Sequence, residues 1–308
     1  MRNKKTYAII LLIFTMLVWG SSYTVTKSIV NILPPACFAL VRFVIASLCL
    51  MPFYLFDSKR QKAQKFRSGD IRWLFLMGLS GITGYYIFFN YSLMYTSASS
   101  GALIQGFIPV CIALFGVVFL KEKLTGIQIT GIGMSLVGVI LVGLITNNTG
   151  EKDSLAGNLL MMVAVLCWTT YTLISRKLNH LHPLKITFWS GCIGTVLLIP
   201  ISIYEFIHLE NQIEIGKNIW WSLIYLGAIS SGFCYLLYNR ALEILTATTV
   251  GNFLNLDILT GVVIAVIFMQ DQIDSFKIVG GILILSGLII STFKKAEPQS
   301  ISIIPPRK

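Results

Sequence analysis

The chain has 308 residues, of which 55% are hydrophobic and only 12% charged, with a mean hydropathy of +0.77. Soluble domains carry about a quarter charged residues, so this composition cannot coat a water-facing surface, and a soluble fold is excluded. The net charge of +11 is spread over short basic clusters between apolar runs; that excludes a nucleic-acid surface and points to anionic lipid headgroups.

In chain order, Arg2, Lys4 and Lys5 precede an apolar run from Tyr7. No small-x-small cleavage site follows, so the run reads as a first span rather than a leader. A span needs about 20 mostly apolar residues. Spans are predicted near 7–25, 35–56, 72–92, 98–120, 127–145, 155–175, 184–204, 219–239, 248–269 and 276–293. The fold class expected is an all-α integral membrane protein of ten transmembrane helices, followed by a disordered cytoplasmic tail at 294–308. With the N-terminus in the cytoplasm, Lys27, Lys152, Lys217 and Lys277 fall outside and Arg42 within a span; the other nineteen of the 24 basic residues fall inside. That bias predicts both termini in the cytoplasm.

Shifting the chain by 149 residues against itself aligns Trp19 with Trp168, Pro34 with Pro183, Gly78 with Gly227 and Asn90 with Asn239. The same shift aligns Leu93 with Leu242, Ala98 with Ala247, Gly131 with Gly280, Gly138 with Gly287, and Glu122 with Asp271. Two repeats follow, 7–145 and 155–293. Five spans per repeat is an odd number, so the repeats enter the membrane in opposite senses, an architecture recurrent in secondary transporters. Duplication also builds channels and some membrane enzymes.

Polar groups inside spans are costly and mark candidate sites. Arg42 in the second span and Asp257 in the ninth are the charged ones. Each reads either as a substrate counter-ion, with Asp257 also a proton-coupling carboxylate, or as a structural group, including an ion pair between the two. The pairs Tyr86/Asn90 and Tyr235/Asn239 repeat at the 149-residue offset, and spacing of four puts each pair on one helix face. Trp19, Ser22, Gln105, Trp168 and Tyr171 are further candidates for lining a substrate cavity. Tyr23 is a further candidate, for which interfacial anchoring is the stronger alternative. Thr248, Asn252 and Asn255 form one stripe, with Asp257 on nearly the opposite side of an unbroken helix. The stripe serves either the cavity or helix–helix hydrogen bonding.

Enzyme signatures are missing. His180, His182 and His208 fall in predicted loops without neighbouring Cys or carboxylate, and there is no G-x-S-x-G and no phosphate loop. Gly131-x-Gly133 has no strand before it, which rules out a dinucleotide loop. All six cysteines lie in apolar segments without a C-x-x-C pair, so no disulfide framework, metal or cofactor is expected.

Several segments resemble the drug/metabolite transporter superfamily, specifically its ten-span exporters with two EamA repeats. Trp19-Gly20-Ser21-Ser22-Tyr23 with Lys27 is similar to the family's opening motif, and Arg42-Phe43 to its second-span arginine. Asn90-x-x-Leu93 through Tyr95–Ser100 and Pro109-Val110 resembles the fourth-span signature. Glu122-x-Leu124 with Gln128 and Gly131 resembles the element that follows. The second half departs from the pattern. Leu256-Asp257-Ile258-Leu259 stands where relatives read L-E-P-V, and Asp271-Gln272-Ile273 where E-x-L is usual. The resemblance implies ATP-independent export of amino acids, related metabolites or drug-like compounds across the cytoplasmic membrane. A membrane-embedded enzyme acting on lipid-linked substrates is the alternative, and a scaffold or sensor a third reading.

Overall fold

A computed structural model describes residues 2–56, 66–120, 125–144, 154–209, 216–245, 247–270, 273 and 275–292. Among them, the helices in chain order are α1 (Arg2–Val30), α2 (Pro35–Phe56), α3 (Asp70–Gly78), α4 (Tyr85–Tyr95), α5 (Ala98–Gln105), α6 (Ile108–Leu120) and α7 (Gly126–Leu144). They continue with α8 (Leu155–Lys177), α9 (Pro183–Ile207), α10 (Lys217–Ile224), α11 (Cys234–Ile244), α12 (Ala247–Met269) and α13 (Ser275–Thr292). No strand occurs among the described residues. Seven helical stretches are long and apolar enough to cross a membrane, and shorter apolar segments lie in α7, α12 and α13. The tail at 294–308 and the Glu122 and Asp271 motif positions lie outside the described residues, as do the side chains of Thr248, Asn252 and Asn255.

Three interruptions shape the interior. Leu79–Gly84 joins α3 to α4 and Tyr225–Phe233 joins α10 to α11, both as π-helix. Shifted by the repeat offset, the first falls inside the second. A π segment widens the backbone and frees carbonyls from the regular ladder, and such segments are frequent at functional sites. The third interruption separates α5 from α6, where Gly106 and Phe107 bond back to Leu103 and Ile104. Pro109 explains it: proline has no N–H to give and crowds the carbonyl four residues earlier, which is that of Gln105. The equivalent position in the second half is Ile258, and α12 runs unbroken through it.

The halves interlock. Span α1 packs on α12, α2 on α9, and α7 on α13. At the α7–α13 crossing the equivalent positions touch each other: Ser135 Oγ donates to the carbonyl of Ile284, its own repeat mate, at 3.1 Å. A Cβ on Gly138 would meet the Gly280 carbonyl at 2.5 Å, and one on Gly287 the Gly131 carbonyl at 2.3 Å. Position 131 thus faces 287 while 138 faces 280, so these helices run antiparallel. Reciprocal contact between repeat mates requires a pseudo-two-fold axis through the crossing, perpendicular to both helices. Trp19 and Trp168 meet on the same axis with ring centroids 5.1 Å apart. The Tyr235 and Tyr86 hydroxyls lie 3.3 Å apart, a third pair of mates in contact.

The repeat extends to the helix ends. Lys27 Nζ donates to the carbonyls of Leu93 and Thr96 at 2.5 and 2.7 Å. At the equivalent place Arg176 Nη1 donates to Leu242 at 2.7 Å. Each cation sits at the C-terminal end of a helix, where carbonyls lack partners and the dipole is negative.

Candidate functional site

The three interruptions and the two-fold axis surround a central cavity. Its wall carries Trp19, Ser22 and Tyr23 from α1, Arg42 from α2, Tyr85, Tyr86 and Phe89 from α4, and Gln105. Ile108, Trp168, Tyr235, Leu254 and Asp257 complete it. The positions obey the repeat: Trp19/Trp168, Tyr86/Tyr235, Gln105/Leu254 and Ile108/Asp257 are mates. The chemistry does not. Asp257 faces an isoleucine mate, and the mate of Arg42 is Gly191, so each half contributes one charge that its twin lacks.

Arg42 is 1% exposed. Its Nε donates to Ser231 Oγ at 2.6 Å and its Nη2 to Ser230 Oγ at 3.0 Å, both serines belonging to the second π segment. The guanidinium also lies 4.5 Å from the centre of the Tyr86 ring. Nη1 has no partner. Asp257 is 6% exposed, with Oδ2 accepting from the Tyr23 hydroxyl at 3.3 Å and Oδ1 without a partner. No ion pair joins Arg42 to Asp257, which removes one of the structural alternatives; neutral hydroxyls hold each charge instead. A buried ion with an unfilled hydrogen-bonding position is expensive, and here two of opposite sign line one space.

The aromatic walls pack ring against ring and are tied to the backbone. Trp168 and Tyr235 centroids are 5.3 Å apart, and Tyr85 and Trp168 5.2 Å. Trp19 Nε1 donates to the Ser230 carbonyl at 2.9 Å, and the Tyr235 hydroxyl to the Gly81 carbonyl at 3.2 Å. Each π segment thereby anchors an aromatic of the wall through a backbone carbonyl. Gln105 Nε2 donates to the Tyr85 hydroxyl at 2.9 Å. The free volume is about 20 Å³, room for about one water molecule. A larger ligand fits only if these walls move apart.

Several predicted residues lie elsewhere. Asn90 donates to the Pro35 carbonyl at 3.0 Å. Asn239 donates to the Tyr171 hydroxyl at 2.7 Å and to Thr187 at 2.8 Å, and accepts from Ser175. Tyr171 stacks behind Trp168 with centroids 5.1 Å apart. These three fasten the wall from behind. Tyr23, a candidate for which interfacial anchoring is the stronger alternative by sequence, is 2% exposed and donates to Asp257. Tyr85, Phe89, Ile108 and Leu254 were not foreseen. For the last two the repeat offset was a usable signal, since they are the mates of Asp257 and Gln105. His180, read as lacking a carboxylate partner, contacts Asp70 at 3.0 Å, a residue 110 positions away.

The model of the EamA-like transporter family matches residues 6–144 and 155–293, nearly the whole chain in two copies. The chain belongs to the EamA-like transporter family. An uncharacterized transporter from Archaeoglobus fulgidus is 29% identical over 305 residues, covering 96% of this chain and all of that protein. The uncharacterized transporter YyaM of Bacillus subtilis is 28% identical, with 89% of each chain covered. A WAT1-related protein of Arabidopsis thaliana is 21% identical over 85% of this chain. A solved structure, titled only as a crystal structure of a protein, superposes with a TM-score of 0.68 at 18% identity over 93% of this chain. That likeness shows the fold. As a family member the chain is a multi-pass membrane transporter rather than an enzyme.

Proposed function

We propose that the chain is a secondary transporter that exports small zwitterionic metabolites of the amino-acid type across the cytoplasmic membrane by alternating access. Ten spans form two inverted five-helix repeats, and both termini lie in the cytoplasm with the basic ends of the helices. The observation that carries the reading is the pair of unmatched charges, Arg42 Nη1 and Asp257 Oδ1, in one closed aromatic cavity. A substrate carboxylate satisfies Arg42, an ammonium satisfies Asp257, and Tyr86, Trp168 and Tyr235 cover the rest through apolar and cation–π contact. A proton is the other cation that can occupy Asp257, so release of a cationic group and protonation are alternatives at one oxygen. That exclusivity couples export to proton entry.

The reading is tested by counterflow in proteoliposomes with a panel of amino acids and amines. Wild-type protein is expected to exchange zwitterions in preference to the corresponding amines. Arg42→Gln and Asp257→Asn are each expected to lower that exchange at least ten-fold while eluting as folded protein. Exchange of no zwitterion by the wild type, or full exchange by both variants, would sink the proposal.

A further inference from the structure

A second cavity, sharing no lining residue with the first, lies between α3, α6 and α8 at the basic end of the bundle. It has a volume of about 380 Å³. Its walls are the apolar side chains of Trp73, Leu76, Phe115, Phe119, Leu173 and Ile174. Thr170 also lines it, but its hydroxyl is spent on the Leu166 carbonyl at 2.9 Å. Among the described residues no buried polar atom without a partner faces this space, and Lys177, at its mouth, is the charged residue that lines it. Phe115 is 37% and Phe119 71% exposed, which makes the cavity a groove open to the surrounding hydrocarbon.

The mouth has a different character. Lys177 Nζ lies 3.7 Å from the centre of the Trp73 ring, and the Arg72 guanidinium 5.2 Å from the same ring. Both side chains are exposed. Among the described residues neither has a carboxylate within ion-pair distance, the two ion pairs being Asp70 with His180 and Glu243 with Arg240. Two cations therefore flank an indole at the lip of an apolar groove. A tryptophan there marks headgroup depth, and basic pockets between spans on that side match anionic headgroups.

We propose that this groove is a binding site for an anionic phospholipid, one acyl chain lying against Leu76, Phe115 and Leu173 and the headgroup phosphate resting on Lys177 and Arg72. The site rests on the reading that the basic end faces the inner leaflet, and it goes beyond the transport reading. A lipid there contacts α3 and α6 of one half and α8 of the other, so it bridges the two bodies that must separate for transport.

The test uses full-length protein in neutral detergent with equal amounts of dioleoyl phosphatidylglycerol and dioleoyl phosphatidylcholine, bound lipid being counted by native mass spectrometry. Wild type is expected to retain the anionic lipid preferentially. Arg72→Gln and Lys177→Gln are each expected to cut that preference about five-fold, the factor one basic residue is worth beside an anionic headgroup. Lys177→Arg keeps it. Thr170→Trp, which fills the groove, lowers the binding of both lipids. Equal retention of the two lipids by wild type would overturn the proposal, as would an undiminished preference in the Arg72→Gln/Lys177→Gln double variant. Competition by millimolar inorganic phosphate without loss in Thr170→Trp would overturn the acyl-chain contact. Lipid adducts are read without substrate, so a failure of transport leaves this result independent.

Discussion

Replacing Gly138 or Gly287 by alanine tests the two-fold arrangement on which the cavity depends. A Cβ at 138 would stand 2.5 Å from the Gly280 carbonyl oxygen, and one at 287 would stand 2.3 Å from that of Gly131. Carbon–oxygen contacts close no nearer than about 3.3 Å, so α7 and α13 must part by about 0.8–1 Å at either point. A gap of that size forfeits between a quarter and a half of the local dispersion energy, and overpacking of this kind costs about 1–3 kcal/mol. Gly287→Ala is expected to cost more, because the new atom would also stand 2.5 Å from Ser135 Oγ and push that hydroxyl off its 3.1 Å hydrogen bond to Ile284. The double variant is expected to cost clearly less than the two single costs together, since the first methyl makes room for the second. Gly133→Ala, with nothing within 4 Å of its Cβ position, serves as control and is expected to be neutral or stabilising, because alanine favours helix. Melting of purified protein followed by tryptophan fluorescence reports all four. Unchanged melting of Gly287→Ala, or full additivity in the double variant, would refute the reciprocal crossing.

Arg42→Lys is expected to lose most transport of carboxylate-bearing substrates. One ammonium cannot bond Ser230 and Ser231 while presenting a third, planar donor to the cavity; recovery of wild-type counterflow would contradict this. Lys27→Met and Arg176→Met remove equivalent cations from helix C-termini and are expected to lower stability by similar amounts, about 1–2 kcal/mol each, read as parallel shifts in melting. Glu205 accepts from the backbone N–H groups of Ala36 and Cys37 at 2.8 and 3.1 Å and from the Tyr91 hydroxyl at 2.6 Å, capping α2 from the other half. Glu205→Gln is expected to cost about 1.5–3 kcal/mol and Tyr91→Phe less, about 0.5–1.5 kcal/mol; the reverse order in thermal melts would contradict the cap.

The repeat was legible because its signal lies in residues that apolar spans do not supply by chance. Tryptophan, proline, glycine and asparagine keep their places at a fixed offset, and a helix has no choice but to present them at fixed heights. Arg42 and Asp257 stood out for the same reason: a charge in hydrocarbon is too costly to be incidental. The break beside Gln105 is not read from the sequence, which predicts one continuous span over 98–120, although Pro109 is its physical cause.

Sequence by itself determined the solvent, the duplication and the two charges, since composition, offset and local chemistry are properties of the chain taken in order. Only the tertiary structure decided what those charges meet. The π segments have no motif, yet they deliver Ser230 and Ser231 to Arg42 and backbone carbonyls to Trp19 and Tyr235. Asn90 and Asn239 look like cavity residues by spacing, but a helix face is chosen by its neighbours, and theirs turn both asparagines toward packing contacts. Periodicity says which residues share a face; which face closes on the axis is settled by how two interlocked halves fill the space between them.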